Sequence, residues 1–470
     1  MVFSSLFFVF CFLPIIFLAY FLCKGDQIKN IILILFSLVF YAWGEPIWFV
    51  LLIISAVIDY LNGLFVEKHK NTKLAILGVV STLTFNLGLL FTFKYADFFV
   101  QNVNYLFNTS FKQPGLILPI GISFYTFQTI SYTLDVYHNK VKAQKSFLNF
   151  LTFVTLFPQL VAGPIVRYSF IQNQLDKRQI TWDNFNKGVE RFCKGLFKKV
   201  AIANTAGALA SQLLDKDLAN ISFASGWLGL MIFGLQVYYD FSGYSDMAIG
   251  LGKIFGFTFN ENFNYPYTAK SITDFWRRWH MSLSTWLSDY IFTPIMISLR
   301  DVRIISLIVA TTTTFFVSGL WHGASWNFVL WGLYFGFWVL IESLFIGKLL
   351  KRLPNIFQHI YFLVLIVPSW MLFYYTDINK IQNLINIIFN FKKIDFDIES
   401  KILIKENIYW LAVTLLFAMP TYKLINKLIV KINSSLIQNL INAVITISLF
   451  LVSVVLLVGS SYNPFLYFRF

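Results

Sequence analysis

The chain has 470 residues, of which 57% are hydrophobic and only 13% are charged. A soluble fold cannot bury that much apolar surface, so the composition predicts a polytopic membrane protein. The formal charge of +14 therefore reports orientation in the bilayer first, and we expect no nucleic-acid partner. The apolar runs are continuous and do not alternate with polar residues, which excludes an outer-membrane β-barrel.

Apolar runs of spanning length recur along the whole chain and predict an all-α bundle of about 11–12 spans. Most of the 37 Lys and Arg residues face one side if the N-terminus lies outside, and the positive-inside rule makes that side cytoplasmic. An even number of spans places the C-terminus outside as well. The runs lie near 3–22, 28–43, 46–65, 73–93, 115–136, 196–214, 222–240, 302–320, 323–346, 357–375, 406–424 and 439–459.

Residues 146–166 are apolar but do not read as a simple span. They contain Pro158, Gly163 and Pro164, and basic residues flank both ends. Non-helical backbone at membrane depth must be buried in protein or line a cavity. The segment therefore predicts a re-entrant hairpin that enters from the cytoplasmic side.

Residues 272–290 place large apolar side chains such as Trp276 and Trp279 at a spacing of three and four. This spacing predicts an amphipathic helix in the cytoplasmic interface. Arg277 and Arg278 lie beside these side chains. They could pair with the phosphates of a donor molecule, or they could anchor the helix at lipid headgroups.

Two of the five histidines have settings that suggest chemistry. His322 lies between two apolar runs and is flanked by Gly319 and Gly323. A titratable group at membrane depth marks a reactive site or pathway by default, and a neutral imidazole suits a general base. A packing role through a hydrogen bond to a neighbouring helix is the alternative. His280 would share a helix face with Trp276 and Leu283, which favours a core or interface position.

Other chemical signatures are missing from the sequence. The three cysteines have no CxxC spacing, so neither a disulfide framework nor a zinc site is indicated. We find no metal-ligand spacing and no nucleotide-binding or serine-hydrolase motif. Asp240, Ser242 and Asp246 lie at the inner end of a span, where they could bond to neighbouring helices or line an inner cavity, and a structural role is favoured over direct chemistry.

Five long motifs follow one another in the region 117–336. They are LPIGISFYTFQTISYTLDVY, FPQLVAGPIVRY, YYDFSGYSDMAIGLGKIFGF, NFNYPYTAKSITDFWRRWHMSLSTWL and GLWHGASWNFVLWGLYFG. Together they resemble the membrane-bound O-acyltransferase family, in the bacterial branch of alginate O-acetylase and peptidoglycan O-acetyltransferase membrane subunits. By position, His322 matches the histidine that is nearly invariant in the family, and His280 matches the histidine of the FWRRWH motif.

This resemblance implies a single membrane domain over residues 1–470, with a signature core at about 115–346 and a tail at 460–470. It implies a multi-pass enzyme of the bacterial cytoplasmic membrane that uses His322 as a base and His280 as a second catalytic residue. The acyl donor would be cytosolic acetyl-CoA, with no bound cofactor or metal. The acceptor would be an envelope polysaccharide, served through a periplasmic SGNH-type O-acetyltransferase with a Ser-His-Asp triad.

The resemblance also gives roles to the donor-facing residues and to the tail. Arg277, Arg278 and Trp279 would contact the donor on the cytoplasmic side. The tail GSSYNPFLYFRF ends in an aromatic run similar to that of the family branch. Its Tyr467 would accept the acyl group and pass it on, since a phenol is a good leaving group. An interfacial aromatic anchor is the simpler alternative.

Two other functions remain open at this stage. D-alanyl transfer to teichoic acid uses related FW–RWH and WHG motifs with a carrier-protein thioester as donor. A transporter or flippase would also place histidines in the membrane, although the sequence has no second copy of any motif, as the internal repeats of transporters would require.

Overall fold

The computed structural model describes residues 1–217, 221–391, 394, 397–459 and 466. Within these ranges the chain forms helices and connecting segments and no β-strand, which confirms the all-α class. The α-helices are, in chain order, α1 (Leu13–Leu22), α2 (Asp26–Ala42), α3 (Phe49–Lys68), α4 (Leu74–Leu90), α5 (Ala96–Phe107), α6 (Ile122–Tyr137), α7 (Phe147–Thr155), α8 (Phe157–Leu160), α9 (Tyr168–Asp176), α10 (Trp182–Phe197), α11 (Asn204–Leu214), α12 (Phe223–Ile254), α13 (Ile272–Trp276), α14 (Met281–Leu287), α15 (Thr293–Ser298), α16 (Arg303–His322), α17 (Trp326–Ile341), α18 (Gly347–Leu350), α19 (Asn355–Ser369), α20 (Met371–Tyr374), α21 (Ile378–Ile388), α22 (Ile398–Glu406), α23 (Ile408–Ala418), α24 (Thr421–Val430) and α25 (Ser435–Gly459).

Single π-helical turns continue or join several of these helices. Such turns widen a helix locally and are frequent near functional sites. They lie at Phe8–Phe12, Phe91–Tyr95, Lys198–Ala203, Ser288–Phe292 and Glu342–Ile346, and a 3-10 turn lies at Pro266–Thr268.

Six helical stretches in the described residues are long and apolar enough to cross a bilayer, and α23 with α24 would be a seventh span bent by 73°. Other predicted runs are shorter helices, such as α2 with 17 residues and α6 with 16. The multi-pass class is confirmed, whereas the number of crossings stays a prediction. The six stretches are Phe49–Lys68, Leu74–Phe107, Arg303–His322, Trp326–Leu350, Asn355–Tyr374 and Ser435–Gly459.

The chain divides into two compact units, and the first comprises Met1–Phe192 and Tyr244–Asn260. In this unit α3, α4 and α6 pack against one another. Asn86 of α4 donates through Nδ2 to both carboxylate oxygens of Asp59 on α3, at 3.0 and 2.9 Å. Because hydrocarbon cannot satisfy polar groups, hydrogen bonds of this kind hold membrane helices together.

The predicted re-entrant segment also lies in the first unit. Ser146 caps α7 by accepting a hydrogen bond from the Asn149 amide, and α7 ends after nine residues, too few to cross a bilayer. The chain then breaks at Leu156, forms the single turn α8 and bends at Gly163, where φ is +108°. Residues 152–166 are buried, as non-helical backbone at membrane depth requires, and the re-entrant course of the segment stays a prediction.

The second unit comprises Cys193–Gly243 and Glu261–Phe470, and every predicted site residue falls within these ranges. Its core is rich in aromatic side chains from α12, α13, α17, α19 and α20. Trp279, Trp331 and Trp370 are each at least 97% buried. The prediction of one domain over residues 1–470 stays a prediction.

Candidate active site

Helices α16 and α17 form a tightly packed hairpin that carries His322 at its turn. Glycines occupy the closest approach, because a Cβ on Gly332 would clash with the carbonyl oxygen of Phe315 and one on Gly319 with that of Phe328. Only a hydrogen atom fits at these positions. His322 is the last residue of α16, so the packing of the hairpin fixes where its imidazole lies.

The imidazole of His322 is surrounded by aromatic rings. Its centroid lies 4.9 Å from the Trp321 ring, 4.9 Å from the Trp331 ring and 5.3 Å from the Phe373 ring. The residue is only 8% exposed. An apolar wall of this kind excludes bulk water and strengthens any electrostatic interaction made inside it.

The prediction of one continuous amphipathic helix over residues 272–290 is wrong. Helix α13 ends at Trp276 and α14 begins at Met281, and between them His280 adopts a left-handed conformation with φ +43° and ψ +51°. Backbone hydrogen bonds to the segment that precedes α13 stabilise this break. The amide of Met281 donates to the Asn262 carbonyl and the amide of Asn264 donates to the Arg278 carbonyl, both at 2.9 Å.

The break removes His280 from the helix face predicted for it with Trp276 and Leu283, since it turns the backbone before α14 begins. The His280 side chain is fully buried and packs edge-on against Phe241 at 4.6 Å between ring centroids. A left-handed non-glycine residue stores strain and clusters at functional sites. This conformation is therefore an independent structural argument for a role of His280.

Hydrogen bonds determine the tautomer of His280. Its Nδ1 lies 3.0 Å from Oδ1 of Asn262, and that oxygen also accepts from the Ser282 hydroxyl at 2.8 Å. An amide oxygen can only accept, so Nδ1 carries the hydrogen and Nε2 carries the lone pair. Nε2 is buried and has no hydrogen-bond partner among the described residues.

Burial lowers the pKa of His280 well below its usual range, and the nearby His322 lowers it further. Desolvation disfavours the imidazolium form, and a second titratable imidazole adds repulsion. His280 is therefore a neutral imidazole at neutral pH. A neutral ring nitrogen in a dry aromatic setting can accept a proton or a hydrogen bond from a reacting group.

Trp321 lies beside both histidines, at 5.7 Å from the His280 ring and 4.9 Å from the His322 ring. The structure thus gathers around one tryptophan two residues that are 42 positions apart in the sequence. Asn262 opens the motif that contains His280 but was not singled out as a site residue, because nothing in an asparagine 18 residues before His280 signals a hydrogen bond to it.

The three side chains that were predicted to contact the acyl donor lie in different surroundings. Arg277 is exposed and lines a cavity with Lys270 and other basic residues. Arg278 pairs with Asp274 through Nε at 2.9 Å. Trp279 is 3% exposed and stacks on the Phe275 ring at 5.2 Å.

A buried ion pair joins the π-helical turn Lys198–Ala203 to α12, close to the described residue of the tail. Lys199 Nζ lies 2.6 Å from Oδ1 of Asp240, and both side chains are at most 4% exposed. The other carboxylate oxygen of Asp240 accepts a hydrogen bond of 2.9 Å from the backbone amide of Leu466. Leu466 itself is buried in the aromatic core, whereas Tyr467 lies outside the described residues.

The described part of the chain contains no group of three or more His, Cys, Asp or Glu side chains placed to hold a metal ion. What the site offers instead is two imidazoles, aromatic walls and nearby basic side chains. This arrangement suits proton transfer at a group that enters the site, together with binding of an anionic donor at its edge.

Known proteins resemble the chain over about half to all of its length. The probable alginate O-acetylase AlgI of Pseudomonas aeruginosa is 41% identical over 384 residues, which cover 79% of this chain and 72% of that protein. The peptidoglycan O-acetyltransferase of Helicobacter pylori is 32% identical over an alignment of 519 positions, covering 100% of this chain and 98% of its own. The teichoic acid D-alanyltransferase of Bacillus subtilis is 30% identical over 237 residues, covering 47% of this chain and 58% of its own.

Residues 140–380 also match the family model of the membrane-bound O-acyltransferases. The chain therefore belongs to the membrane-bound O-acyltransferase family and is a multi-pass membrane O-acyltransferase. The resemblance to the bacterial O-acetylating branch, inferred from the five motifs, is confirmed.

Proposed function

We propose that the chain is the membrane subunit of an O-acetylation system that transfers acetyl groups from cytosolic acetyl-CoA for use on a cell-envelope polysaccharide. The polysaccharide would be peptidoglycan or an exopolysaccharide, since two of the relatives are named for peptidoglycan and for alginate. The enzyme would lie in the bacterial cytoplasmic membrane. The observation that carries the proposal is the pairing of His280 and His322 around Trp321 inside an aromatic enclosure.

In the proposed reaction His322 acts as the general base. It takes the proton of an attacking hydroxyl, whose oxygen bonds to the thioester carbonyl carbon of the donor. The carbon–sulfur bond then breaks, and the CoA thiolate leaves and recovers the proton from the imidazolium. His280 would present the lone pair on Nε2 to the same region, because Asn262 holds its hydrogen on Nδ1.

The test uses membranes that contain the full chain, acetyl-CoA with a labelled acetyl group, and the isolated polysaccharide with its periplasmic partner. We expect His322→Gln to lower acetyl transfer about 100-fold or more, as loss of a general base does. His138→Gln is the matched control, because His138 is an exposed residue at the end of α6. Wild-type transfer by His322→Gln would reject the proposed base.

Donor binding is proposed at the basic side chains that adjoin the His280 break. Arg278 Nη1 lies 3.5 Å from the Asn264 carbonyl oxygen, and Lys423 Nζ lies 3.4 Å from Oδ1 of the same residue. Two cations on one residue can attract the phosphates of CoA. Arg278→Glu is expected to raise the KM for acetyl-CoA, and an unchanged KM with less protein in the membrane would favour an anchoring role.

For the tail we propose that Tyr467 accepts the acetyl group and passes it to a periplasmic SGNH-type O-acetyltransferase. Support comes from its neighbour Leu466, whose backbone amide donates to the buried Asp240, so this one described residue of the tail lies in the interior of the second unit. Tyr467→Phe keeps the aromatic ring and removes only the hydroxyl. We expect this variant to be abundant and folded but unable to acetylate the polymer, and retained activity would return the tail to an anchoring role.

D-alanyl transfer is the alternative that the third relative supports, since the B. subtilis protein matches about half of this chain. The two functions differ in the donor. Acyl transfer with acetyl-CoA as the only donor would support the O-acetyltransferase. Transfer that requires a D-alanyl carrier protein would support the alternative. Release of CoA by the purified chain would in addition exclude transport without chemistry.

A further inference from the structure

A cavity of about 440 Å³ lies in the second unit, where the start of α13 meets the end of α17, α18 and the start of α19. It is separate from the aromatic enclosure of the two histidines and shares no residue with it. Its lining residues are Lys270, Ser271, Thr273, Asp274, Arg277, Glu342, Ser343, Gly347, Lys348, Leu350, Lys351 and Gln358.

The oxygens of the two carboxylates that line this cavity already have partners within the protein. Glu342 is buried and accepts hydrogen bonds from the backbone amides of Ile272 at 2.7 Å and Thr273 at 2.8 Å. Asp274 pairs with Arg278 at 2.9 Å. The charge of Asp274 is thus neutralised by Arg278. Glu342 keeps its negative charge, so one carboxylate stands against the four basic side chains of the lining, Lys270, Arg277, Lys348 and Lys351.

Most of the basic side chains that line the cavity make no ion pair or hydrogen bond to another side chain among the described residues. The side chains of Arg277, Lys348 and Lys351 are exposed, and none makes an ion pair or hydrogen bond to another side chain in the described part of the protein. The Lys270 ammonium donates to the amide oxygen of Asn355, at 2.8 Å, which is a neutral partner. The cavity therefore presents a concentrated positive charge and hydrogen-bond donors to an external anion.

The surface next to the cavity is apolar and exposed. Phe345 is 72% exposed, Leu349 62%, Ile356 61% and Phe357 55%. These residues lie at the ends of the spanning stretches Trp326–Leu350 and Asn355–Tyr374, or just within them. In a membrane such side chains face the acyl chains of lipids. A small soluble anion would make no favourable contact with these apolar side chains. A phospholipid carries its acyl chains beside its phosphate, so it could contact the apolar surface and the cavity together.

We propose that this cavity binds the headgroup phosphate of an anionic phospholipid, with the acyl chains lying along the exposed apolar surface. In the predicted orientation the cavity opens toward the cytoplasmic leaflet, where clustered Lys and Arg residues attract anionic lipids. Arg277 is the residue best shaped to hold the phosphate, because its planar guanidinium can form two parallel hydrogen bonds. This inference does not depend on the proposed acetyl transfer.

The test measures lipid binding to the full chain, purified in detergent, by native mass spectrometry with dioleoylphosphatidylglycerol or dioleoylphosphatidylcholine. We expect the wild type to retain phosphatidylglycerol in preference to phosphatidylcholine. The double variant Lys348→Glu with Lys351→Glu should lose affinity for phosphatidylglycerol about tenfold or more. Lys427→Glu with Lys431→Glu is the matched control, since both lysines are exposed, carry the same charges and do not line the cavity.

Two results would overturn the proposal. An equal loss in both double variants would mean that the lipid responds to general charge and not to this cavity. A loss of CoA affinity in the cavity variant, with phosphatidylglycerol binding intact, would assign the cavity to the acyl donor. Unchanged CoA binding together with lost phosphatidylglycerol binding, seen in the cavity variant alone, supports the lipid site.

Discussion

The amide of Asn262 decides which nitrogen of His280 can act as a base. Oδ1 of Asn262 gathers the His280 ring, the Ser282 hydroxyl and the Ser282 backbone amide, at 3.0, 2.8 and 3.3 Å. Because the oxygen accepts from all three, Nδ1 must be the protonated nitrogen. Asn262 thus sets both the tautomer of His280 and the orientation of its ring.

This role predicts a pH effect for Asn262→Asp. A carboxylate at this position would stabilise the imidazolium form of His280 and so raise its pKa from the low value that burial imposes. If transfer requires neutral His280, activity falls when the pH drops below the pKa of His280. This loss should begin at a higher pH in the variant than in the wild type. The measurement is the acidic limb of the rate against pH, at saturating donor.

Asn262→Leu is the companion variant, because it removes the acceptor without adding charge. It should lower the rate at every pH and leave the position of the acidic limb unchanged. An acidic limb for Asn262→Asp that coincides with that of the wild type would show that the protonation of His280 does not limit transfer.

At the scale of the elements, the α16–α17 hairpin depends on close contact between two backbones. Gly332 and Gly336 lie four residues apart on α17, and they face Gly319 and Phe315 of α16. Small residues at this spacing let membrane helices approach more closely than side chains would allow. The hairpin is the element that brings His322 to the aromatic enclosure.

We predict that Gly332→Ala lowers both stability and activity. The added methyl group would clash with the Phe315 carbonyl oxygen, which is backbone and cannot move aside, so the helices must separate. Overpacking of this kind typically costs about 1–3 kcal/mol. Thermal unfolding in detergent and acetyl transfer measure the two effects.

Gly88→Ala provides the matched control for this change. Gly88 also lies in a spanning helix, but a Cβ there would meet nothing within 4 Å. We expect it to be neutral, or to gain up to about 1 kcal/mol from the better helix propensity of alanine. Equal effects of the two substitutions would mean that the contact in the hairpin is not limiting.

Sequence patterns predicted the helical class and the two motif histidines but not the break at His280. The spacing of Trp276, Trp279 and Leu283 satisfies a helical period whether or not the helix is continuous. What interrupts it is the pairing of backbone groups at Asn262 and Asn264 with the segment between the helices. Such a competition between distant parts of the chain leaves no trace in local periodicity.

At the scale of the whole second unit, the tail is joined to the interior through a charge pair that local sequence does not reveal. Lys199 and Asp240 are 41 residues apart and meet at 2.6 Å. Asp240 was interpreted from the sequence as a structural polar group, and the ion pair agrees with that interpretation. The hydrogen bond from Leu466 to the same carboxylate adds a second role, since it holds the described residue of the tail.

Single and double changes at this pair should separate folding from attachment of the tail. Asp240→Leu alone leaves the buried Lys199 charge without its carboxylate, although its hydrogen bond to Asn204 Oδ1 at 3.0 Å is still possible. Breaking a buried ion pair in this way typically costs about 3–5 kcal/mol, whereas replacing both partners by apolar residues is often neutral. We therefore expect Asp240→Leu to accumulate poorly and the double variant with Lys199→Met to fold.

The double variant should nevertheless fail in polymer acetylation, because the Leu466 amide loses its acceptor and the tail its attachment. Carboxypeptidase digestion of the C-terminus gives a second readout, and it should be faster in the double variant than in the wild type if the tail is released. A double variant that folds, resists digestion and acetylates the polymer at the wild-type rate would show that the Asp240 carboxylate supports the fold alone. In that case the position of the tail must depend on contacts other than this hydrogen bond.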